Sequence, residues 1–285
     1  MVLRAFVVSL GLAGAALVPL AGVAETVQAT VAPEISALSK TLLIGPVMDV
    51  MRAEGLKHSA DLSKDLLEGQ GDAAWRAVIE VIYDTEKMTG RFDAALAQAL
   101  QGDATVIADS AAFFGSDLGQ NLLNLEVQAR TALLDETAEA AAKAAWADLL
   151  ASDPARVDLI TRFATTNDLI ESNVMGALNA NLAFYRGLSA TGAFGDPMAE
   201  DQMLTEVWEQ EADIRSETTD WLYPFLMLSY QPLSDADLQA YIDFSTTDSG
   251  KKLNAAVFVA FDAVMVDLSR DLGAAAGRLM VGQDI

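Results

Sequence analysis

Apolar side chains recur along most of the chain at intervals of three and four residues, which is the spacing of one face of an α-helix. No segment shows the sustained alternation of apolar and polar residues that is typical of a half-buried strand. The pattern therefore predicts an all-α fold with two series of helices. They lie near 34–54, 58–69, 72–101, 104–114 and 117–151, and then near 156–164, 167–186, 200–230, 234–245 and 248–281. Pro46 and Pro224 fall inside two of these helices and are expected to kink or divide them.

A short motif occurs once in each series. FFGSDLGQNL at 113–122 aligns with FSTTDSGKKL at 244–253 when the chain is shifted by 131 residues. The matched pairs are Phe113 and Phe244, Ser116 and Thr247, Asp117 and Asp248, Gly119 and Gly250, and Leu122 and Leu253. Each copy follows a short predicted helix and opens a long one. We therefore predict a tandem duplication, with unit 1 at 34–152 and unit 2 at 153–285 packed as an antiparallel helical array.

The chemistry of the motif favours a corner between two helices. Ser116 and Thr247 are suited to accept the first free backbone N–H groups of the following helix. A glycine three residues later would let the preceding helix cross closely. The alternative is a phosphate site formed by the helix end with Lys251 and Lys252. The first copy lacks both lysines, and the motif lacks the glycine spacing of a nucleotide-binding loop, so we interpret it as structural.

The motif and its surroundings resemble an exported bacterial family known as domain of unknown function 2059. The resemblance is best over about 200–281, which includes LSDADLQAYIDFSTTDSGKKL, and weaker over 72–135. It implies an all-helical exported protein. It brings no catalytic residues to this sequence.

The N-terminus has the three consecutive parts of an export signal: a basic start, an apolar run and a small-residue end. Arg4 precedes the apolar run AFVVSLGLAGAALVPLAGVA, which ends in small residues at Ala24. We predict a signal peptide at 1–24 that is cleaved near Ala24, followed by a linker at 25–33. The alternative is an uncleaved anchor, because the run is long enough to span a bilayer. After cleavage the protein would be periplasmic or extracellular and free of the membrane.

The amino-acid composition limits which partners the protein can bind and which kinds of site it can form. The net charge is −23, and it becomes −24 when cleavage removes Arg4. This charge disfavours nucleic acid and anionic lipid surfaces. It suits either a well-hydrated surface or a basic partner, such as an envelope protein. The sequence has no cysteine, which excludes disulfides and thiolate sites. The oligomeric state stays open.

Few residues are candidates for catalysis. Glu171 lies in LIESNVMGALN, loosely like the helix-borne acid of lytic transglycosylases, and such an acid needs burial to raise its pKa. The simpler interpretation is a first-turn acid that stabilises the helix end. His58, the only histidine, has no recognisable triad or zinc partners. We expect no cofactor and no metal site.

The remaining candidate surface is aromatic. Several large aromatic side chains fall on one predicted helix, and we expect them in the core: Trp208, Trp221, Tyr223, Phe225 and Tyr230. If exposed, they would form a partner or ligand surface. We therefore expect a noncatalytic interaction or envelope-maintenance protein. The alternatives are a peptidoglycan-acting hydrolase that uses Glu171 and a carrier of a small apolar ligand between the units.

Overall fold

A computed structural model describes residues 32–67, 72–193 and 198–282, so the predicted signal peptide lies outside the described residues. The described residues form helices and no strands, which confirms the all-α prediction. They make thirteen helices: α1 (Pro33–Thr41), α2 (Ile44–Leu67), α3 (Asp72–Ile82), α4 (Thr85–Leu100), α5 (Ala104–Phe114), α6 (Asp117–Ala132), α7 (Glu136–Ser152), α8 (Pro154–Thr166), α9 (Leu169–Ser189), α10 (Glu200–Trp208), α11 (Glu211–Tyr230), α12 (Asp235–Thr246) and α13 (Asp248–Met280).

Three predicted long helices are each divided into two. The prediction over 72–101 becomes α3 and α4, and the one over 200–230 becomes α10 and α11. The prediction over 117–151 divides into α6 and α7, where the Asp135 side chain accepts hydrogen bonds from the N–H groups that open α7. Each break is only two or three residues long, so the apolar residues before and after it keep nearly the same three-and-four spacing. The spacing therefore does not reveal the break.

The first predicted helix breaks at a different place from the one expected. The chain turns at Leu42 and Leu43, with Leu43 in the left-handed region at φ 55°, and α2 then continues without a gap to residue 67. Pro46 is the third residue of α2, where a missing N–H costs no intrahelical bond. Pro224 lies inside α11, which is not divided there.

The main core runs through both predicted units. Its buried residues extend from Ile35 on α1 to Ala276 on α13. α4 of the first unit packs on α13 of the second, and α6 of the first packs on α11 of the second. The two units therefore share one apolar interior.

Two of the packed helix pairs run parallel, which differs from the antiparallel array predicted from the sequence. Along α9 and α13, Asn179 contacts Asp262 and, further on, a Cβ on Gly273 would meet the Phe184 carbonyl oxygen at 2.1 Å. Both helices therefore advance in the same direction. The absence of a side chain at Gly273 lets the backbones approach this closely. α2 and α6 are parallel as well, because the 54–130 and 57–134 contacts advance together.

Candidate functional site

The two corners have the same hydrogen-bonding pattern. The backbone N–H of Gly119 donates to Ser116 Oγ at 3.1 Å, and that of Gly250 donates to Thr247 Oγ1 at 2.9 Å. Each hydroxyl in turn donates to the backbone carbonyl three residues earlier, at 2.6 Å and 2.7 Å. Ser116 and Thr247 thus cap α6 and α13 as the sequence indicated.

The glycine of each corner lies where two backbones cross. A Cβ on Gly119 would lie 2.2 Å from the carbonyl oxygen of Phe113, and one on Gly250 would lie 2.1 Å from that of Phe244. Contacts this short with backbone atoms leave no room for any side chain. The two glycines therefore allow the preceding helix to cross closely.

The other motif residues divide between surface and core. Asp117 and Asp248 are exposed in the first turns of their helices, where a negative charge faces the positive helix end. Leu122 and Leu253 are fully buried. All of these contacts are internal to the fold, so the geometry favours an architectural role for the motif.

The two corners contact each other. The rings of Phe113 and Phe244 stack with centroids 4.1 Å apart and planes at 7°. Lys252 donates to Asp103, the cap of α5, at 2.9 Å, and Ser249 donates to Asp109 at 2.5 Å. Lys252 thus joins the two predicted units. Lys251, the other lysine of the motif, is exposed.

Glu171 lies in the first turn of α9 on the surface. Its side chain is 48% exposed, and its carboxylate accepts a hydrogen bond from Arg215 at 2.7 Å. The burial that a glycosidic general acid needs is therefore not present at this residue. The geometry fits the simpler role of a helix-end acid held in a surface ion pair. His58, in α2, is half-buried.

A buried carboxyl group that sequence reasoning missed lies between α6, α11 and α12. The Tyr230 hydroxyl donates to Glu126 Oε1 at 2.7 Å, and Tyr241 also hydrogen-bonds to this carboxyl. Burial raises the pKa of Glu126 to about 8, and the two tyrosine hydrogen bonds lower it by less. Glu126 is therefore mostly protonated at neutral pH. All three side chains are enclosed by the core, so they cannot meet a soluble substrate while the fold is closed.

A pair of buried amides lies in the second unit. Asn254 Nδ2 donates to the backbone oxygen of Asn167 at 3.2 Å, and both side chains are fully buried. Their Oδ1 atoms have no hydrogen-bond partner within the described residues. Under the 131-residue shift Asn254 matches Leu123, so the first unit has an apolar residue at the corresponding position.

An exposed apolar face lies on α10. Leu204 and Trp208 are one turn apart and are 39% and 56% exposed, whereas the residues that directly precede them, Met203 and Val207, are buried. The prediction that Trp208 is a core residue is therefore wrong. We call Leu204, Trp208 and the exposed Asp201, one turn before Leu204, the α10 face.

The other aromatic residues predicted for the core lie in α11. Phe225 and Tyr230 are buried, and Trp221 stacks on Phe225 with centroids 4.8 Å apart. Tyr223 is half-buried and stacks on Trp146 of α7 at 5.3 Å. The break between α10 and α11 separates these residues from Trp208 and explains why Trp208 alone faces outward.

Metal-binding and membrane-spanning features can be assessed for the described ranges. In 32–67, 72–193 and 198–282, no group of three or more His, Asp or Glu side chains is arranged to hold a metal ion. Over the same ranges, no helix combines the length and the apolar character that crossing a membrane requires.

The described part of the chain thus forms an all-helical protein in which two corners are capped in the same way. Residues 86–146 match the family "Uncharacterized protein conserved in bacteria (DUF2059)", which confirms the predicted resemblance. The match covers most of α4 to α7 and includes the first corner, whereas we expected the better resemblance over 200–281. Comparison with curated proteins and with solved structures found no match.

Proposed function

We propose that this chain is an exported helical protein with a noncatalytic role, which it performs by binding a partner in the cell envelope. The basic start, apolar run and small-residue end of residues 1–24 support export from the cytoplasm. The described residues supply an exposed apolar face. The carboxyl group of Glu126, in contrast, is buried in the core, where a partner protein cannot reach it.

The observation that carries the proposal is the exposure of Trp208. A tryptophan that is more than half exposed loses hydrophobic stabilisation unless something covers it. Tryptophan is also among the residues that contribute most to protein–protein affinity. Leu204 extends the same face by one turn. Together the two side chains form an exposed apolar face, which makes it a candidate partner site.

The hydrolase alternative receives less support. Glu171 is exposed and paired with Arg215, so it lacks the enclosed position of a glycosidic general acid. The carrier alternative would need an apolar cavity between the units. The aromatic rings there pack directly on each other, as Phe113 does on Phe244 and Phe92 on Phe261.

The experiment is affinity capture from envelope extract with the mature chain, residues 25–285, as bait. We expect a reproducible partner that is retained by wild type and lost with Trp208→Ala. The matched control is Leu150→Ala, which removes a similarly exposed apolar side chain on α7. Identical capture by wild type and Trp208→Ala would contradict the proposal. So would release of glycan fragments from peptidoglycan by wild type and not by Glu171→Gln.

A further inference from the structure

The α10 face differs in its packing from the matching part of the first unit. α3 and α10 are the short helices that precede α4 and α11, each separated by a two-residue break. α3 packs on both α2 and α13, whereas α10 packs chiefly on α9. The described part of the chain thus places a second helix beside α3 and none of similar extent beside α10.

The difference follows from the lengths of α6 and α13. α13 is 33 residues long, and α6, which opens with the matching corner, has 16 residues. After α6 the chain turns, and α7 packs against α8 and α11 instead. Among the described residues, α6 is therefore too short to pack on α10 as α13 packs on α3.

The charged residues of α10 and of the segments on either side of it, within 187–214, are all acidic. Between Arg186 and Arg215 the sequence has no lysine or arginine, and its acids are Asp196, Glu200, Asp201, Glu206, Glu209, Glu211 and Asp213. The two flanking arginines are already paired, Arg186 with Glu200 and Arg215 with Glu171 and Glu211. Asp201, Glu206, Glu209 and Asp213 are exposed and form no ion pair within the described residues. Their negative charge is therefore available to a partner.

We propose that the α10 face binds an amphipathic, basic helix of a partner protein. This inference rests on the proposed function and specifies the chemistry of its partner. An apolar stripe on the partner helix covers Leu204 and Trp208, and lysine or arginine side chains beside the stripe reach Asp201 and Glu209. An arginine or lysine lying on the exposed indole of Trp208 adds a cation–π contact.

The test uses two synthetic peptides of the same leucine and lysine composition. One has leucines spaced three and four apart, so that it forms an apolar stripe as a helix, and the other has them permuted without a stripe. Binding to the mature chain is measured by calorimetry at about 0.15 M salt, where distant surface charges are screened. The variants are Trp208→Ala and the double charge reversal Asp201→Lys with Glu209→Lys. The controls on α7 are Leu150→Ala and Asp148→Lys.

We expect the striped peptide to bind wild type and to lose about tenfold or more in affinity with either α10 variant. The α7 controls should bind as wild type does, and circular dichroism should show every variant folded, because the changed side chains are exposed. Equal binding of the permuted peptide, an equal loss with the α7 controls, or no binding would overturn the inference. If the peptide fails while capture from extract still depends on Trp208, the partner chemistry is wrong and the proposed function stands.

Discussion

Glu126 occupies a position on α6 where the apolar stripe requires a hydrophobic residue. Leu122 and Ala129, one turn to either side, are buried on the same face. The sequence signal for a buried acid was therefore present as a carboxylate within an apolar stripe. Its partners could not be predicted, because Tyr230 lies 104 residues away and reaches Glu126 only through the packing of α11 on α6.

This carboxyl group predicts an unusual pH dependence of stability. The pKa of Glu126 rises from 4.5 to about 8 on folding, so the folded state holds a proton that the unfolded state releases. The free energy of unfolding should therefore fall between about pH 5 and pH 8, by up to roughly 1.4 kcal/mol per pH unit. Glu126→Gln should remove this slope, whereas Glu217→Gln, at an exposed site on α11, should keep it. Urea unfolding across this pH range measures the slope, and parallel curves for wild type and Glu126→Gln would contradict the assignment.

At the scale of elements, local signals predicted the starts of helices better than their interruptions. Asp103, Ser116 and Ser234 each cap a helix that begins where the sequence indicated. Such a start can be predicted because the capping side chain bonds an N–H group only three residues further along the chain. The end of α3 depends on distant residues as well as on the local Asp84 cap of α4. Arg52 of α2 donates to the carbonyl oxygens of Glu80 and Tyr83 at 2.8 Å and 2.7 Å, and these contacts hold the break in place. Contacts of this kind become visible only in the folded chain.

The corner between α12 and α13 gives a prediction at this scale. Gly250→Ala places a methyl group against the backbone of Phe244, so we expect a loss of about 2 kcal/mol in the free energy of unfolding. Gly90→Ala is the matched control, since Gly90 lies inside α4 with open space around its Cα. That change should stabilise the protein by roughly 0.5–1 kcal/mol through helix propensity. Chemical denaturation measures both, and equal stability of the two variants would argue against a close crossing at Gly250.

At the scale of the whole molecule, we propose that α1–α6 and α8–α13 arose from one duplicated unit. Several independent features support this correspondence. Pro33 and Pro154 open α1 and α8, and the left-handed residues Leu43 and Asp168 precede α2 and α9. The helices that follow pack in parallel pairs, α2 with α6 and α9 with α13. The corner motif in the sequence suggested the duplication. It did not predict that helices of one copy pack against helices of the other in a single core.

The packing of each unit's helices on those of the other leads to a prediction about folding. Because α4 packs on α13 and α6 on α11, each predicted unit leaves an apolar face uncovered when the other is removed. We therefore expect residues 34–152 and 153–285, produced separately, to lack a cooperative thermal transition, and residues 25–285 to unfold in a single one. Mixing the two fragments should restore helicity, since the missing surfaces are then supplied in trans. Calorimetry and circular dichroism measure these outcomes. A cooperative transition in either fragment near the melting temperature of the intact chain would mean that the units fold as separate domains.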